Sequence, residues 1–268
     1  MLQDDHGVAV LCPSVQDESV HDVALVFTQE QFDEFARLSG DDNPIHVDST
    51  FAEGTRFGRT VAHGMFLFSV MMAELARAER FRPSNQELLF NRPTFACEAV
   101  TLEIESVEGG FEERLLDAGG DRITSGLSLG SAPSPVTAVP ADPSAILKGL
   151  RIGMCASRTR TFSREDVDGY RCLVDVPGDR SDEVPGPLLG GLISALLGVD
   201  LPGPGANWLK QRYTFVRPVP VGTPARATVT IVRLRPGKEL VNLSTVIEVG
   251  GETAVVGEAL VLVRDVAG

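Results

Sequence analysis

Positive charge is scarce in this chain of 268 residues: 24 Lys and Arg stand against 37 Asp and Glu, a net charge of −13 with a pI near 4.8. Non-specific binding to nucleic acid or an anionic membrane needs clustered cations, so neither partner is expected. An anionic small molecule needs only a local basic patch and stays admissible. Long apolar runs are missing as well. The longest, Gly64 to Leu75 and Pro187 to Val199, are too short to span a bilayer, and no basic segment leads into an apolar core at the N-terminus. Neither a membrane span nor a signal peptide is therefore expected. Cys12, Cys97, Cys155 and Cys172 show no close pairing and no Cys-x-x-Cys, the pattern of buried free thiols in a reducing cytoplasm. Four histidines without clustered cysteines offer no metal site of the usual ligand spacing, and none is expected.

What is present suits two domains of about 130 residues, each able to bury a core. Residues 1–21 are polar and patternless, an expected loose arm. Thr28 sits three residues before Gln31, a capping-box spacing that predicts a helix from Gln29 to Leu38, ended by Ser39-Gly40. A helix from Met65 to about Arg80 is apolar nearly all round and so must be buried. Strand-like stretches follow at 87–91, 100–107, 111–116 and 122–129. One buried helix followed by antiparallel strands predicts an α+β architecture for residues 22–130. Residues 131–150, rich in Pro, Ser and Ala, read as a linker, and residues 151–268 as a second domain.

That second half repeats the first. Val26-Phe-Thr-Gln-Glu-Gln-Phe aligns with Thr161-Phe-Ser-Arg-Glu-Asp-Val, His63-Gly-Met-Phe-Leu with Pro185-Gly-Pro-Leu-Leu, and Phe90-Asn-Arg-Pro93 with Phe215-Val-Arg-Pro218. Phe27 and Gly64 lie 37 positions apart, but Phe162 and Gly186 only 24. The missing segment is the one holding Ser39-Gly-Asp-Asp-Asn-Pro-Ile-His-Val-Asp48, and the second half has no histidine. It reads as a structural partner without an active centre.

The loop has usable chemistry. A neutral His46 is a base near neutral pH, since unperturbed imidazole titrates near 6.5. A reversal at Asn43-Pro44 can bring Asp41 and His46 to one water, with the Asn43 amide bonding neighbouring backbone. Gly64, at a helix start, offers an unencumbered N–H to a carbonyl that gains enolate character. Asp42 and Asp48 read as turn and N-cap residues. His63 is either a second base or a packing and hydrogen-bonding residue.

Gly40-Asp-Asp-Asn-Pro-Ile-His-Val-Asp48, with Phe51-Ala52 and Val61-Ala-His-Gly-Met65, closely resembles the hydratase motif of the MaoC-like, R-specific enoyl-CoA hydratase family. The resemblance covers residues 22–130 by motif and 155–265 only through the repeat. It implies a double hotdog, each half a long helix wrapped by an antiparallel sheet, the halves pairing as an intrachain pseudo-dimer around one tunnel, with further homodimerisation open. It implies a hydratase of 2-enoyl thioesters, or a dehydratase of 3-hydroxyacyl thioesters, in fatty acid or polyketide metabolism. The arm would be coenzyme A or an acyl carrier protein, with no separate cofactor. Asp41 and His46 match the family's catalytic pair, Gly64 its carbonyl-binding N–H, Asn43 the motif's Asn, and Ser69 is the candidate for the hydroxyl behind Asp41. Met72 occupies a further position where such a hydroxyl would stand. The motif sits in the N-terminal half, whereas two-domain relatives are expected to carry it in the C-terminal one. Arg56, Arg59, Arg80 and Arg82 are candidates for the substrate's phosphates, with solvated surface charge the alternative. A hotdog thioesterase, or a non-catalytic acyl-thioester binding protein, remains the competing reading.

Overall fold

The computed structural model describes residues 20–131, 142–175 and 181–266. Most of the expected arm, residues 132–141 of the expected linker and Cys12 lie outside them. The first half begins with β1 (Val20–Val26) and α1 (Gln29–Ser39), the latter opened by the full Thr28–Gln31 capping box. Two short helices follow, α2 (Pro44–Val47) and α3 (Ser49–Glu53), then the long α4 (Gly64–Glu79). The strands are β2 (Asn85–Phe90), β3 (Ala99–Val107), β4 (Gly110–Asp117) and β5 (Arg122–Leu129).

Ile146–Leu147 (β6) and Leu150–Arg151 (β7) form a tight hairpin inside the stretch read as linker, burying Leu147 and Leu150. The second half then repeats the order with β8 (Cys155–Thr161), α5 (Arg164–Leu173), α6 (Gly186–Ala195), β9 (Asn207–Phe215), β10 (Pro224–Arg235), β11 (Leu240–Val249) and β12 (Glu252–Leu262). Even the capping box recurs, as Ser163 with Asp166.

Ten strands form one antiparallel sheet in the order β1-β3-β4-β5-β2-β9-β12-β11-β10-β8. The order reads the same from either edge once each strand is exchanged for its repeat, so a pseudo-twofold axis lies between β2 and β9. Those central strands pair from Asn85 with Thr214 to Leu89 with Lys210, and Glu87 bonds Arg212 and Lys210 across the seam. The halves are therefore joined by a backbone ladder as well as by side chains.

Each half wraps its sheet around a helix. In β3, Val100, Leu102 and Ile104 point inward on every second residue, as a half-buried strand requires. They meet α4, whose Phe66 is in edge or tilted contact with Phe27, Phe32 and Phe35 at 5.3–5.8 Å between centroids. Each such ring, fully buried, contributes about 2–3 kcal/mol of hydrophobic stabilisation. The two long helices meet at the centre, and α6 packs on α4 through small residues: a Cβ on Gly190 would stand 2.3 Å from Met65 Cε. Cys97, Cys155 and Cys172 are free but exposed; a turn, the start of β8 and the end of α5 place them outside, contrary to the expected burial. Among the described residues no helix is long and apolar enough to cross a membrane.

Candidate active site

The loop after α1 is built for burial of its first acid. Gly40 takes a left-handed conformation (φ 80°) that ends the helix and turns the chain inward. Asp41 follows at 1% exposure, its N–H donating to Ser39 Oγ at 3.2 Å. The expected reversal at Asn43-Pro44 is a one-turn helix instead. Asn43 caps α2 by accepting from the Ile45 N–H (3.3 Å), and Pro44 fills the first helical position, where a missing N–H costs nothing. His46 thus rides on a helix. Gln29, from the first turn of α1, donates to the His46 carbonyl at 2.8 Å and accepts from Thr60 Oγ1 at 2.5 Å, tying α2 to the segment before α4. Asp48 caps α3, accepting from the Phe51 N–H at 3.0 Å, while Asp42 is exposed.

Backbone carbonyls fix both imidazoles. His46 Nδ1 donates to the Val61 carbonyl (2.8 Å), which leaves Nε2 as the acceptor. His63 Nε2 donates to the Asp41 carbonyl (3.0 Å), leaving its Nδ1 buried without a partner. The two rings stack, 3.8 Å between centroids and 27° apart. Ligand-type atoms of Asp41, His46 and His63 all lie within 4.8 Å of one another, which adds His63 to the expected approach of Asp41 and His46. Two stacked rings, however, aim their lone pairs along nearly parallel planes. One ion cannot lie in both planes at about 2.0–2.1 Å from each nitrogen.

Burial dominates the electrostatics. It raises the Asp41 carboxyl above the usual carboxylate range, opposed by the His46 charge, the Ser194 hydroxyl and the Asn43 N–H. It lowers His46, opposed by Asp41 and the Val61 carbonyl, and holds His63 well below 6.5, helped by the His46 charge. His63 is therefore a neutral, packed hydrogen-bonding residue at neutral pH. Neither Asp41 oxygen completes a hydrogen bond of good geometry, so the carboxylate keeps its acceptor capacity beside His46.

Ser69, expected behind Asp41, is elsewhere engaged: its hydroxyl donates to the Met65 carbonyl at 2.6 Å, back-bonding within its own helix. The hydroxyl facing Asp41 is Ser194, from the second half. The sequence carried one trace of it. Gly190, Gly191, Ser194 and Gly198 put small residues on one side of α6 and its continuation. A Cβ on Gly191 would stand 2.4 Å from Ser39 Cβ, and one on Gly198 2.5 Å from the Asn43 side-chain nitrogen.

A cavity of about 200 Å³ lies against this cluster. His46 and Gly64 stand in its wall, with Leu67, Leu197 and Trp208 as apolar lining and Ser194 opposite. Asp41 sits behind that wall. Gly64 has no room for a side chain, because a Cβ would come within 2.7 Å of the Phe90 ring. Its N–H is among the first of α4, which no helix satisfies internally, so it presents a donor at the positive end of the dipole. Of the expected phosphate-binding cations, Arg56 lines the cavity and pairs with Asp265 at 3.2 Å. Arg59 instead pairs with Glu98 and stacks on Phe95. Arg80 and Arg82 line a different cavity, while Arg92, which the sequence reading passed over, lines this one. Among the described residues, this cavity and the one lined by Arg80 and Arg82 share no lining residue.

Residues 13–111 match the MaoC-like domain model. A 3-hydroxybutyryl-CoA dehydratase of Methylorubrum extorquens is 32% identical over 130 residues, 42% of this chain and 81% of that protein. The chain belongs to the MaoC-like dehydratase family. An (R)-specific enoyl-CoA hydratase of Rhodospirillum rubrum is 45% identical over 78 residues, which are 29% of this chain and only 54% of that relative's length. The family-model match falls on the half with the Asp41–His46 loop. The whole double hotdog is matched by a solved structure from Mycobacterium tuberculosis with a double hotdog fold, at TM-score 0.68 and 14% identity over 91% of this chain and 95% of that one.

Proposed function

We propose that the protein is a hydratase of 2-enoyl-CoA thioesters, reversible as a 3-hydroxyacyl-CoA dehydratase, with Asp41 and His46 as the acid/base pair. One observation carries this reading. Asp41 and His46 converge beside a cavity whose wall also holds the first N–H of α4 at Gly64. This supports a reading in which a proton carrier and an oxyanion donor flank one reacting group. Water oxygen bonds C3 of the enoyl chain and gives a proton to the pair. The thioester oxygen takes up enolate charge at the Gly64 N–H, and C2 then takes a proton back, so the pair returns to its starting state. Ser194 and Asn43 position Asp41, and His63 holds the Asp41 backbone and backs the His46 ring. Leu67, Leu197 and Trp208 receive the acyl chain, and Arg56 and Arg92 meet the phosphates of the coenzyme A arm. Coenzyme A is favoured over a carrier protein because the matched relatives are named for acyl-CoA substrates. The R configuration at C3 is proposed on the name of the Rhodospirillum hydratase.

Incubation with crotonyl-CoA tests the reaction class: enoyl absorbance should fall without free thiol. Release of thiol would instead establish a thioesterase. Asp41→Asn and His46→Ala should each lower the rate by at least ~10²-fold. Full activity in both folded variants would remove the assignment.

A further inference from the structure

The pseudo-twofold that relates Gly64 to Gly186 also repeats the cavity. A second one, about 720 Å³, lies against the start of α6. Its residues are the repeats of the first: Gly186 for Gly64, Leu189 for Leu67, Phe215 for Phe90, Arg217 for Arg92 and Val219 for Thr94. Phe215 closes over Gly186 as Phe90 does over Gly64, with 2.6 Å left for a Cβ. The loop bearing Asp41 and His46 has no counterpart, so the acid/base chemistry is gone. The room has grown to the size of a small-molecule pocket.

Its lining says what would fit. Phe68, Met72 and Ala76 of α4 face Leu189 and Phe215 as an apolar wall. Three guanidiniums, Arg80, Arg82 and Arg217, stand in the lining against one carboxylate, Glu183. Arg217 also pairs with Glu252. The decisive residue is Gln86, 3% exposed and part of the lining. Its Nε2 donates to Ser128 Oγ (2.5 Å) and approaches Met72 Sδ (3.1 Å), and Ser128 donates on to Glu113. That chain fixes the amide and leaves Gln86 Oε1 as a buried acceptor with no partner. Such an orphan is costly unless something brings it a donor.

We propose that this second cavity is a non-catalytic binding site for a hydroxylated acyl chain with an anionic head. The chain lies on the α4 and α6 side chains, its hydroxyl donates to Gln86 Oε1, and the guanidiniums hold the head. The head is a free carboxylate or the phosphates of a coenzyme A arm; the cations suit both.

The chain's one tryptophan separates the two sites, because Trp208 lines the Asp41–His46 cavity and not this one. The full-length protein is titrated with 3-hydroxydecanoate, decanoate and decanoyl-CoA, calorimetry counting all binding and Trp208 fluorescence only the first cavity. A fluorescence-silent site is expected, preferring 3-hydroxydecanoate to decanoate by about tenfold; its relative affinity for decanoate and decanoyl-CoA identifies the head. Gln86→Leu should abolish the preference for the hydroxylated chain. Ala76→Phe should weaken the silent site at least tenfold and leave crotonyl-CoA turnover unchanged. Binding reported entirely by Trp208, or a silent site indifferent to both substitutions, overturns the proposal. Since the free acids cannot be hydrated, this result is independent of whether Asp41 and His46 catalyse.

Discussion

Asp41 and His46 are displaced in opposite directions by the same cause. Burial disfavours charge on either, so it raises the acid and lowers the base, and each partly restores the other's charge. Because the two titrate together, the acid limb of kcat/KM belongs to the pair. Lowering the pH protonates the pair and removes its capacity to accept a proton from water, so activity should fall on the acid side. The Ser194 hydroxyl favours the Asp41 carboxylate. Ser194→Ala should therefore move the acid limb to higher pH, read from crotonyl-CoA hydration across pH 5–8. An unmoved limb with a lowered plateau would mean that Ser194 acts on position alone.

At the level of elements, the site depends on how closely α6 approaches the end of α1. Gly191 is in contact with Ser39, two residues before Asp41, and leaves no room for a side chain. Gly191→Val should lower stability by about 1–3 kcal/mol, the usual cost of overpacking, and shift Asp41 enough to reduce turnover. Gly237, by contrast, has nothing within 4 Å of a built Cβ. Urea midpoints should fall for the first variant and stay within experimental scatter for Gly237→Ala. α4 depends on a different close approach, that of Gly64 to the Phe90 ring in the cavity wall.

At the scale of the whole molecule, a buried acid outside the site makes stability depend on pH. Glu113 on β4 is fully enclosed, and burial pushes its carboxyl up to about 8 despite the Ser128 hydrogen bond. Below pH ~4.5 folded and unfolded chains are both protonated there. Between ~4.5 and 8 the unfolded chain loses the proton and the folded one keeps it, so stability falls with rising pH by up to ~1.4 kcal/mol per unit. Glu113→Gln keeps an acceptor for Ser128 and removes that slope. Its melting temperature should match the parent near pH 5 and exceed it at pH 8–9; parallel curves would contradict a buried neutral acid.

The sequence by itself determined much of the local structure and which residue types the loop carries. The Thr28–Gln31 box, the alternation Val100-Leu102-Ile104 and the Asp48 cap all depend on contacts a few residues apart, so spacing alone reveals them. The repeat fixed the double architecture, and the missing segment showed which half lacks a counterpart of the Asp41–His46 loop. Tertiary structure decided what spacing cannot encode. Pairing of β2 with β9 brings the two halves into one sheet, and α6 then delivers Ser194 to Asp41 while Ser69 turns back on its own helix. His63 stacks on His46 where the segment before α4 bonds α2, the Val61 N–H donating to the Ile45 carbonyl at 3.1 Å. Arg80 and Arg82 went to the second cavity because α4 is long enough to carry its far end into the other half of the molecule. These placements come from summed packing across the pseudo-twofold, which no single stretch of sequence contains.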